Sequence, residues 1–263
     1  QEDFTLVYDS LLELYRTNPV PDELGKYYES ETYISHTDSR KTLFDRLYQW
    51  VKSYNLKHKI ALIKQYKKEN IHLLDIGAGT GDFVLSSKKY AHWEAMGIEP
   101  SEKARAKAEE KGLLLQADFS ELLPHSFDVI TMWHVLEHVP DVTQEIQIIS
   151  NLLKENGIAV IAVPNYRSWD AQHYKEHWAA YDVPRHLWHF SKKSIEQLFA
   201  KEGFHLLATH PMLFDAFYVS MLSEQYKTGK KSFLKGFLNG LRSNYYGWLK
   251  GEYSSQIYIL SKK

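Results

Sequence analysis

The chain has 263 residues, of which 44% are hydrophobic and 25% charged, a composition typical of one soluble α/β domain with an appendage. Its formal net charge of -1 provides no overall basic field, so we expect no nucleic-acid partner. It has no cysteine, which excludes disulfides and thiolate zinc sites and favours a reducing, cytoplasmic location. No apolar run approaches the roughly 18 residues of a transmembrane segment.

The N-terminal residues 1–70 are predicted to form a helical cap. From residue 43 to residue 66, apolar side chains recur at the spacing of a helix that buries one face. The repeating residues are Leu43, Leu47, Trp50, Val51, Tyr54, Ile60, Ile63 and Tyr66. Because this segment leads directly into the first predicted strand, we expect the cap to cover the crevice at the strand ends.

Alternating strands and helices follow, which predicts a Rossmann-like α/β core over residues 71–210. The strands are expected in residues 71–76, 93–98, 112–116, 127–132, 158–163, 204–209 and 256–260. They would form a seven-stranded, mostly parallel sheet with helices on both faces, with residues 256–263 as its last strand. A helical insertion, residues 211–255, precedes that strand and is interpreted as a lid, a homodimer interface or a membrane-touching helix pair.

A glycine-rich turn, Asp75-Ile-Gly-Ala-Gly-Thr-Gly81, ends the first predicted strand. Gly77, Gly79 and Gly81 lack a Cβ atom, so the backbone can lie close against a ligand. Their spacing is Gly-x-Gly-x-Gly, whereas dinucleotide sites use Gly-x-Gly-x-x-Gly. Asp75 would repel a phosphate but suits a cation, so the turn favours a ligand with an amino group and a sulfonium and no phosphate.

Acidic residues also end the next two predicted strands. Glu99, about 20 residues past the glycines, can accept hydrogen bonds from both hydroxyls of a ribose. Asp118 is placed to accept from an adenine amino group, with Phe119 beside it to pack against the ring. Because ligands of open α/β sheets bind at the carboxyl ends of the strands, the three carboxylates would contact successive parts of one ligand.

Over residues 71–164 these motifs resemble the S-adenosylmethionine (SAM)-binding half of class I SAM-dependent methyltransferases. The resemblance implies SAM as the cofactor and S-adenosylhomocysteine as its product. It also implies that Trp133 and His134, after the fourth predicted strand, line the cofactor. The predicted cofactor-binding residues are Asp75, Gly77, Ala78, Gly79, Gly81, Phe83, Glu99, Pro100, Asp118, Phe119, Trp133 and His134.

The segment Met132-Trp-His-Val-Leu-Glu-His-Val-Pro-Asp141 resembles one found in small-molecule methyltransferases that include the ubiquinone-type O-methyltransferases. Residues 24–28 and 182–190 resemble further segments of that family. The resemblance implies that His138 faces the substrate, where it would be the catalytic base, with His186 as the second candidate. The predicted substrate-pocket residues are Tyr28, Tyr33, Tyr181, Arg185 and His186.

Some of these residues allow other interpretations. The His-x-x-Glu-His spacing of His134 and His138 is that of inverted zinc proteases, but here it follows a strand and Pro140 limits the helical turn. Some methyltransferases hold a divalent metal at Glu-x-x-Glu-His in this place; His134 replaces the first Glu, so we expect no metal. His138 could instead orient its loop through a hydrogen bond, and Arg185 could form a structural salt bridge or bind an acidic acceptor.

The function favoured by the sequence is SAM-dependent transfer of a methyl group to an oxygen, in preference to a nitrogen, of a small organic acceptor. One alternative is an oxidoreductase of the NAD type. Another is a non-catalytic SAM-binding or partner-binding protein with the same fold. The sequence leaves open the identity of the acceptor, and a homodimer would form through the cap or the insertion.

Overall fold

Strands and helices alternate along most of the chain. The computed structural model describes residues 3–21, 23–28, 43–68 and 70–262. The strands are β1 (Thr5–Asp9), β2 (Leu14–Asn18), β3 (His72–Ile76), β4 (Glu94–Ile98), β5 (Phe127–Trp133), β6 (Leu153–Pro164), β7 (Trp188–His189), β8 (Phe204–Pro211) and β9 (Ser255–Lys262). The helices are α1 (Leu43–Tyr66), α2 (Asp82–Ala91), α3 (Glu102–Glu109), α4 (Val142–Leu152), α5 (Trp169–Tyr174), α6 (Lys192–Ala200), α7 (Leu213–Thr228) and α8 (Phe233–Lys250). Short 3-10 helices span Leu24–Tyr28, Leu136–His138, Lys175–His177 and Ala179–Tyr181.

The central sheet has the strand order β4-β3-β5-β6-β9-β8. β9 runs antiparallel to both of its neighbours, and the remaining neighbours pair in parallel. The register places Ile76 opposite Ile98 on one side and Met132 on the other, so the carboxyl ends of β3, β4 and β5 lie side by side. This arrangement confirms the predicted Rossmann-like α/β class with a mostly parallel sheet.

The sheet has six strands within the described residues, and the predicted strand over 112–116 does not form. Only Gln116 pairs there, through a parallel bridge to Ile98. Leu113 is buried, but Leu114 is 81% exposed because it lies at the edge of the sheet. One buried side chain provides too little apolar contact to hold a full strand, so the expectation of seven strands was wrong by this one.

The expectation of helix also fails for residues 5–18, which form an antiparallel hairpin of β1 and β2. Thr5, Val7 and Tyr8 are residue types that favour strands. The Asp9 carboxylate accepts hydrogen bonds from the backbone amides of Leu11 (2.9 Å) and the next residue, which closes the turn. β2 then pairs with β7, so this hairpin packs beside the segment that contains the predicted substrate residues.

Helices cover both faces of the sheet, as predicted. Leu74 of β3 belongs to a core cluster with residues of α4 and α6, such as Ile146 and Ile195. Leu73 belongs to a second cluster with residues of α1 and α2, such as Ile63. Successive strand residues alternate between the faces, so one short apolar strand serves both clusters. The predicted helix over residues 43–66 forms as α1, and its C-terminal half packs against the sheet.

Candidate active site

The glycine turn between β3 and α2 has a backbone that other residues adopt with strain. Gly77, Gly79 and Gly81 have φ angles of 70°, 55° and 76°. A Cβ atom on Gly77 would lie 2.4 Å from the side chain of Val135. A Cβ atom on Gly79 would have no heavy atom within 4 Å, so the surface above Gly79 is open. The turn is therefore packed on one side and accessible on the other.

Asp75, ahead of the turn, is a buried carboxyl group that is 2% exposed. Its Oδ1 accepts a hydrogen bond of 2.6 Å from the hydroxyl of Thr131 on β5. Burial raises the pKa of Asp75 to about 7, although Thr131 and the nearby Lys59 act to lower it. Because a second positive charge would stabilise the ionised form, Asp75 is suited to bind a cation.

The other predicted acidic residues lie beside this turn. The two oxygens of Glu99 accept from the backbone amides of Gly79 (2.8 Å) and Ser101 (2.9 Å), which orients the carboxylate toward the glycine turn. Asp118 is exposed at the same edge, two residues after the bridge to β4. Hydrogen bonds from the side chain and backbone of Ser120 lower the pKa of Asp118. Glu99 follows β4, and Asp118 follows the bridge that joins Gln116 to that strand.

The remaining predicted cofactor residues take different positions. The backbone amide of Ala78 donates to the carbonyl of Ile98 (2.9 Å), which joins the turn to β4. Pro100 is exposed next to Glu99, and its carbonyl accepts from Arg105. Phe119 packs against the core cluster that contains α4. Phe119 is only partly buried there. Its packing against an adenine ring stays a prediction.

An aromatic cage formed by Phe83 and Trp133 holds a cation. Phe83 and Trp133 meet edge to face, with ring centroids 5.4 Å apart. The ammonium of Lys59 on α1 lies 4.0 Å from the Trp133 ring centroid and 5.9 Å from that of Phe83. Burial lowers the pKa of Lys59 to about 8, against the raising effect of Asp75 and Asp215. Two aromatic faces and a carboxyl group thus surround one positive charge.

His134 lies next to this cage and has two carboxylate partners. Its Nε2 is 2.9 Å from Asp215 of α7, and its Nδ1 is 3.3 Å from the buried Glu137. Burial alone would lower the pKa of His134, but the two carboxylates raise it to about 10. Burial would raise the pKa of Glu137, but His134 and the neighbouring histidines lower it. The imidazolium therefore joins α7 to the loop after β5.

Two predicted substrate residues, Arg185 and His186, lie beside His138. Its ring and that of His186 meet edge to face at 4.5 Å. Nδ1 of His138 lies 3.0 Å from the carbonyl oxygen of Arg185, and Nδ1 of His186 lies 2.8 Å from that of Ala180. A carbonyl only accepts hydrogen bonds, so each Nδ1 donates to it. Burial lowers the pKa of His186 to about 4, so that ring is neutral at pH 7.

The same cluster contains a set of groups that could hold a metal ion. One ligand atom from each of Glu137, His138 and His186 lies within 4.8 Å of the others. Oε2 of Glu137 is buried without a hydrogen-bond partner. A carboxylate with two imidazoles suits transition metals better than magnesium. His134 takes no part because it faces Asp215, and the expectation of a site without metal stays a prediction.

Arg185, Tyr181 and the two remaining tyrosines complete the predicted pocket. Arg185 forms a salt bridge of 2.6 Å with Asp182, the structural arrangement considered from the sequence. Tyr181 contacts His189 edge to face at 5.3 Å and lines a cavity of about 420 Å³ that also borders Tyr15. The side chain of Tyr28 and all of Tyr33 lie outside the described residues. Their predicted role in the substrate pocket therefore stays a prediction.

Sequence reasoning missed Lys59, Thr131 and Asp215, which come from α1, β5 and α7. For Lys59 a signal was present, because it follows Leu56 by three residues on the face of α1 that is otherwise apolar. No comparable signal marks Asp215. It lies far along the chain from the motifs, and only folding brings it to His134.

Part of the chain is similar in sequence to known proteins. Residues 46–209, more than half of the chain, match the family model described as a methyltransferase domain. A ubiquinone biosynthesis O-methyltransferase of Histophilus somni (strain 2336) is 35% identical over 115 residues, which cover 37% of this chain and 47% of that protein. The chain thus spans about half the length of the curated relatives it matches.

Solved structures share the fold at low sequence identity. A Haemonchus contortus phosphoethanolamine N-methyltransferase 2 in complex with S-adenosyl-L-methionine matches with a TM-score of 0.56 and 18% identity, over 78% of this chain and 52% of that chain. A cyclopropane synthase from Mycobacterium tuberculosis matches with a TM-score of 0.56 and 15% identity, over 93% of this chain and 100% of that chain. These likenesses show a common fold and leave the acceptor undetermined.

Proposed function

Because the chain belongs to the class I SAM-dependent methyltransferases, we propose that it transfers the methyl group of SAM to an oxygen atom of a small organic acceptor. The observation that carries this proposal is the cage of Asp75, Phe83 and Trp133 beside an open glycine turn. The cage holds a positive charge in the form of the Lys59 ammonium. The methionine part of SAM carries two positive charges, on its amino group and its sulfur.

The crevice offers further groups that fit the rest of SAM. The open space above Gly79 would accept the ligand directly against the backbone, and Glu99 beside it can accept from ribose hydroxyls. Nε1 of Trp133 is buried without a hydrogen-bond partner, so it can donate to a bound ligand. Lys59 would have to withdraw from the cage, because two cations cannot share it. Its flexible side chain on α1 permits that movement.

The transfer needs alignment and a base. SAM, when bound, supplies a methyl group attached to a positively charged sulfur, and the sulfur becomes a neutral thioether once the methyl group is transferred. The walls of the crevice hold the acceptor oxygen in line with that methyl group and exclude water, which can contribute on the order of 7–11 kcal/mol. Nε2 of His138 accepts the hydroxyl proton as the oxygen forms its new bond to carbon, while the carbonyl of Arg185 keeps the ring oriented.

Calorimetry tests the cofactor. We expect SAM and S-adenosylhomocysteine to bind and NAD to give no heat of binding. NAD binding in the absence of SAM binding would overturn the proposal in favour of an oxidoreductase. A panel of phenols, catechols, carboxylates and amines with labelled SAM then tests turnover. SAM binding without transfer to any of them would favour the non-catalytic alternative.

The base is tested with His138→Gln, because glutamine can still donate to the Arg185 carbonyl. For a hydroxyl acceptor we expect kcat to fall by about 10²–10⁴-fold with SAM affinity unchanged. His205→Gln, at an exposed position of β8, is the matched control and should keep full activity. Unchanged turnover in His138→Gln would remove this base from the mechanism. A neutral amine acceptor needs no such base, so activity retained on amines alone would indicate nitrogen as the acceptor atom.

The alternative role of His138 as a metal ligand can be separated in the same assay. If a divalent cation bound by Glu137, His138 and His186 were required, chelation would abolish turnover in the wild-type protein. In that case the ion, held by these three residues, would lower the pKa of an acceptor hydroxyl. Unchanged turnover in the chelated protein would leave His138 as the base.

A further inference from the structure

The helical pair formed by α7 and α8 has its small residues inside and its large apolar residues outside. The buried face of α8 consists of Gly236, Asn239, Gly240, Ser243 and Gly247, and its two glycines 236 and 240 pack on α7. The fit requires glycine, because a Cβ atom on Gly236 would lie 2.7 Å from the backbone of Met221, and one on Gly240 would lie 2.8 Å from the backbone of Phe217. Close approach through small residues is typical of helices that pack in lipid.

The buried side of α8 is also polar. Nδ2 of Asn239 donates to the hydroxyl of Tyr174 (2.8 Å) and to Glu224 (3.1 Å). The hydroxyl of Ser243 donates to Asp170 (2.7 Å), which is fully buried. A surface helix of a water-soluble protein buries its apolar stripe and exposes its polar one. α8 has the opposite arrangement.

The outward side of α8 carries one continuous apolar stripe. Its members, at steps of four, three, four and three residues, are Leu234 (68% exposed), Leu238 (46%), Leu241 (45%), Tyr245 (57%) and Trp248 (72%). At 3.6 residues per turn this spacing keeps them on one side of a helix about 27 Å long. Contiguous apolar patches of this kind mark contact surfaces, and Trp and Tyr are the aromatic residues enriched at membrane interfaces.

Positive charge surrounds this stripe. Residues 226–251 contain no acidic side chain and six basic ones, in a chain whose net charge is -1. The basic residues, all exposed, are Lys227, Lys230, Lys231, Lys235, Arg242 and Lys250. Lys235 and Arg242 are seven residues apart and therefore share one side of α8, next to the apolar stripe. An apolar stripe beside a basic one is complementary to a lipid surface with anionic headgroups.

We propose that the outward face of α8 docks on an anionic lipid membrane, with its apolar stripe at the level of the acyl chains and its basic residues among the headgroups. No helix in the described parts of the chain is long and apolar enough to cross a bilayer, so the contact is peripheral. The helical pair of α7 and α8 lies outside the residues matched to the methyltransferase domain. The proposal does not depend on the proposed function.

Vesicle flotation with the full chain tests this docking. We expect the protein to float with mixed phosphatidylcholine–phosphatidylglycerol vesicles and to stay behind with pure phosphatidylcholine. Binding should weaken as salt is added, because the attraction to headgroups is screened. Leu238→Glu with Leu241→Glu, at positions that already face solvent, should weaken binding by at least about tenfold without unfolding the protein.

Matched control variants show whether a loss of vesicle binding is specific to α8 or follows from any change of surface charge or hydrophobicity. Leu11→Glu with Leu123→Glu changes two leucines elsewhere that are even more exposed, at 85% and 73%, and should leave vesicle binding unchanged. Lys231→Glu with Lys235→Glu should weaken binding by about tenfold or more, whereas Lys103→Glu with Lys201→Glu should not.

Two results would overturn the proposal. One is equal binding to both kinds of vesicle or to neither. The other is a protein that sediments as a dimer, binds no vesicles, and becomes monomeric in Leu238→Glu with Leu241→Glu, which would assign the face to a second copy of the chain. The methyl-transfer assay with a water-soluble acceptor is independent of both, so its failure would concern the proposed function alone.

Discussion

One side of the candidate site consists of residues 75–83, which follow one another in the chain, whereas Lys59, His134 and Asp215 come to it from three distant segments. We call the first the glycine wall and the second, made of Lys59, His134 and Asp215, the assembled wall. The glycine wall depends on backbone shape, because Gly77 must lie against Val135. The assembled wall depends on charge, because Asp215 forms an ion pair with His134 and also attracts the Lys59 ammonium. Changes of shape should therefore damage the first wall, and changes of charge or pH the second.

The largest effect is expected from pH, where the two walls meet at Asp75 and Lys59. The raised pKa of Asp75, about 7 against an ordinary value of about 3.9, means that between these pH values only the unfolded chain has released the proton. This group stabilises the fold below pH 4, and its contribution is lost as the pH rises to 7, by up to about 4 kcal/mol. Asp75→Asn should remove that loss. Chemical denaturation across this range measures the difference.

Asp128→Asn is the control for that experiment. Burial would raise the pKa of Asp128, but the hydrogen bond from Lys154 and its other partners lower it. Its stabilising effect is therefore lost as the pH falls, which is the opposite sign. Above pH 8 the lowered pKa of Lys59 predicts that stability rises with pH in the unliganded protein, because only the unfolded chain still holds that proton. Parallel curves for Asp75→Asn and the wild-type protein would contradict the assignment.

A smaller effect is expected from shape in the glycine wall. Gly77→Ala combines a φ of 70° with a Cβ atom 2.4 Å from Val135, so we expect a loss of about 3 kcal/mol in the free energy of unfolding. Gly79→Ala meets no neighbour and should lose only about 1 kcal/mol from the backbone, yet bind SAM more weakly. Equal destabilisation of the two variants would show that the Val135 side chain moves to make room for the Cβ atom of residue 77 at little cost.

The next effect concerns the acidic residues at the strand ends. Glu99→Gln should weaken SAM binding by about 30-fold, because its oriented carboxylate loses a charge-assisted hydrogen bond to a ribose hydroxyl. Asp118→Asn, at an exposed position, should weaken it by less than about tenfold. Calorimetry measures the SAM affinity of both variants. A larger loss in Asp118→Asn than in Glu99→Gln would place the ribose beside Asp118.

The smallest effect is expected in the assembled wall. Asp215→Asn removes one partner of His134, so the pKa of His134 should fall and stability should decrease by about 1 kcal/mol. Titration of the imidazole signals by NMR measures the first change and thermal unfolding the second. As a control, Glu94→Gln removes the exposed partner of His72. It should leave the titration of His134 and the thermal unfolding temperature nearly unchanged. An unaltered His134 titration in Asp215→Asn would mean that Glu137 alone holds the charge.

The sequence predicted the parts of the site that local pattern governs. The Gly-x-Gly-x-Gly turn requires positive φ angles whatever surrounds it, and these angles are present. The helical spacing of residues 43–66 predicted α1, and the repeat after residue 211 predicted α7 and α8. It failed for the hairpin of residues 5–18, where β1 pairs with β2 and β2 pairs with the distant β7, because such pairing outweighs a mixed local pattern.

What the amino-acid order determined by itself is the class of fold, the glycine turn and the position of Glu99 after β4, because each depends on neighbours a few positions away. Only the tertiary structure decided that Lys59 lies over Trp133, that Asp215 meets His134, and that α8 turns its leucines outward. These contacts join segments separated by dozens of residues, and which side of a helix is buried depends on what packs against it.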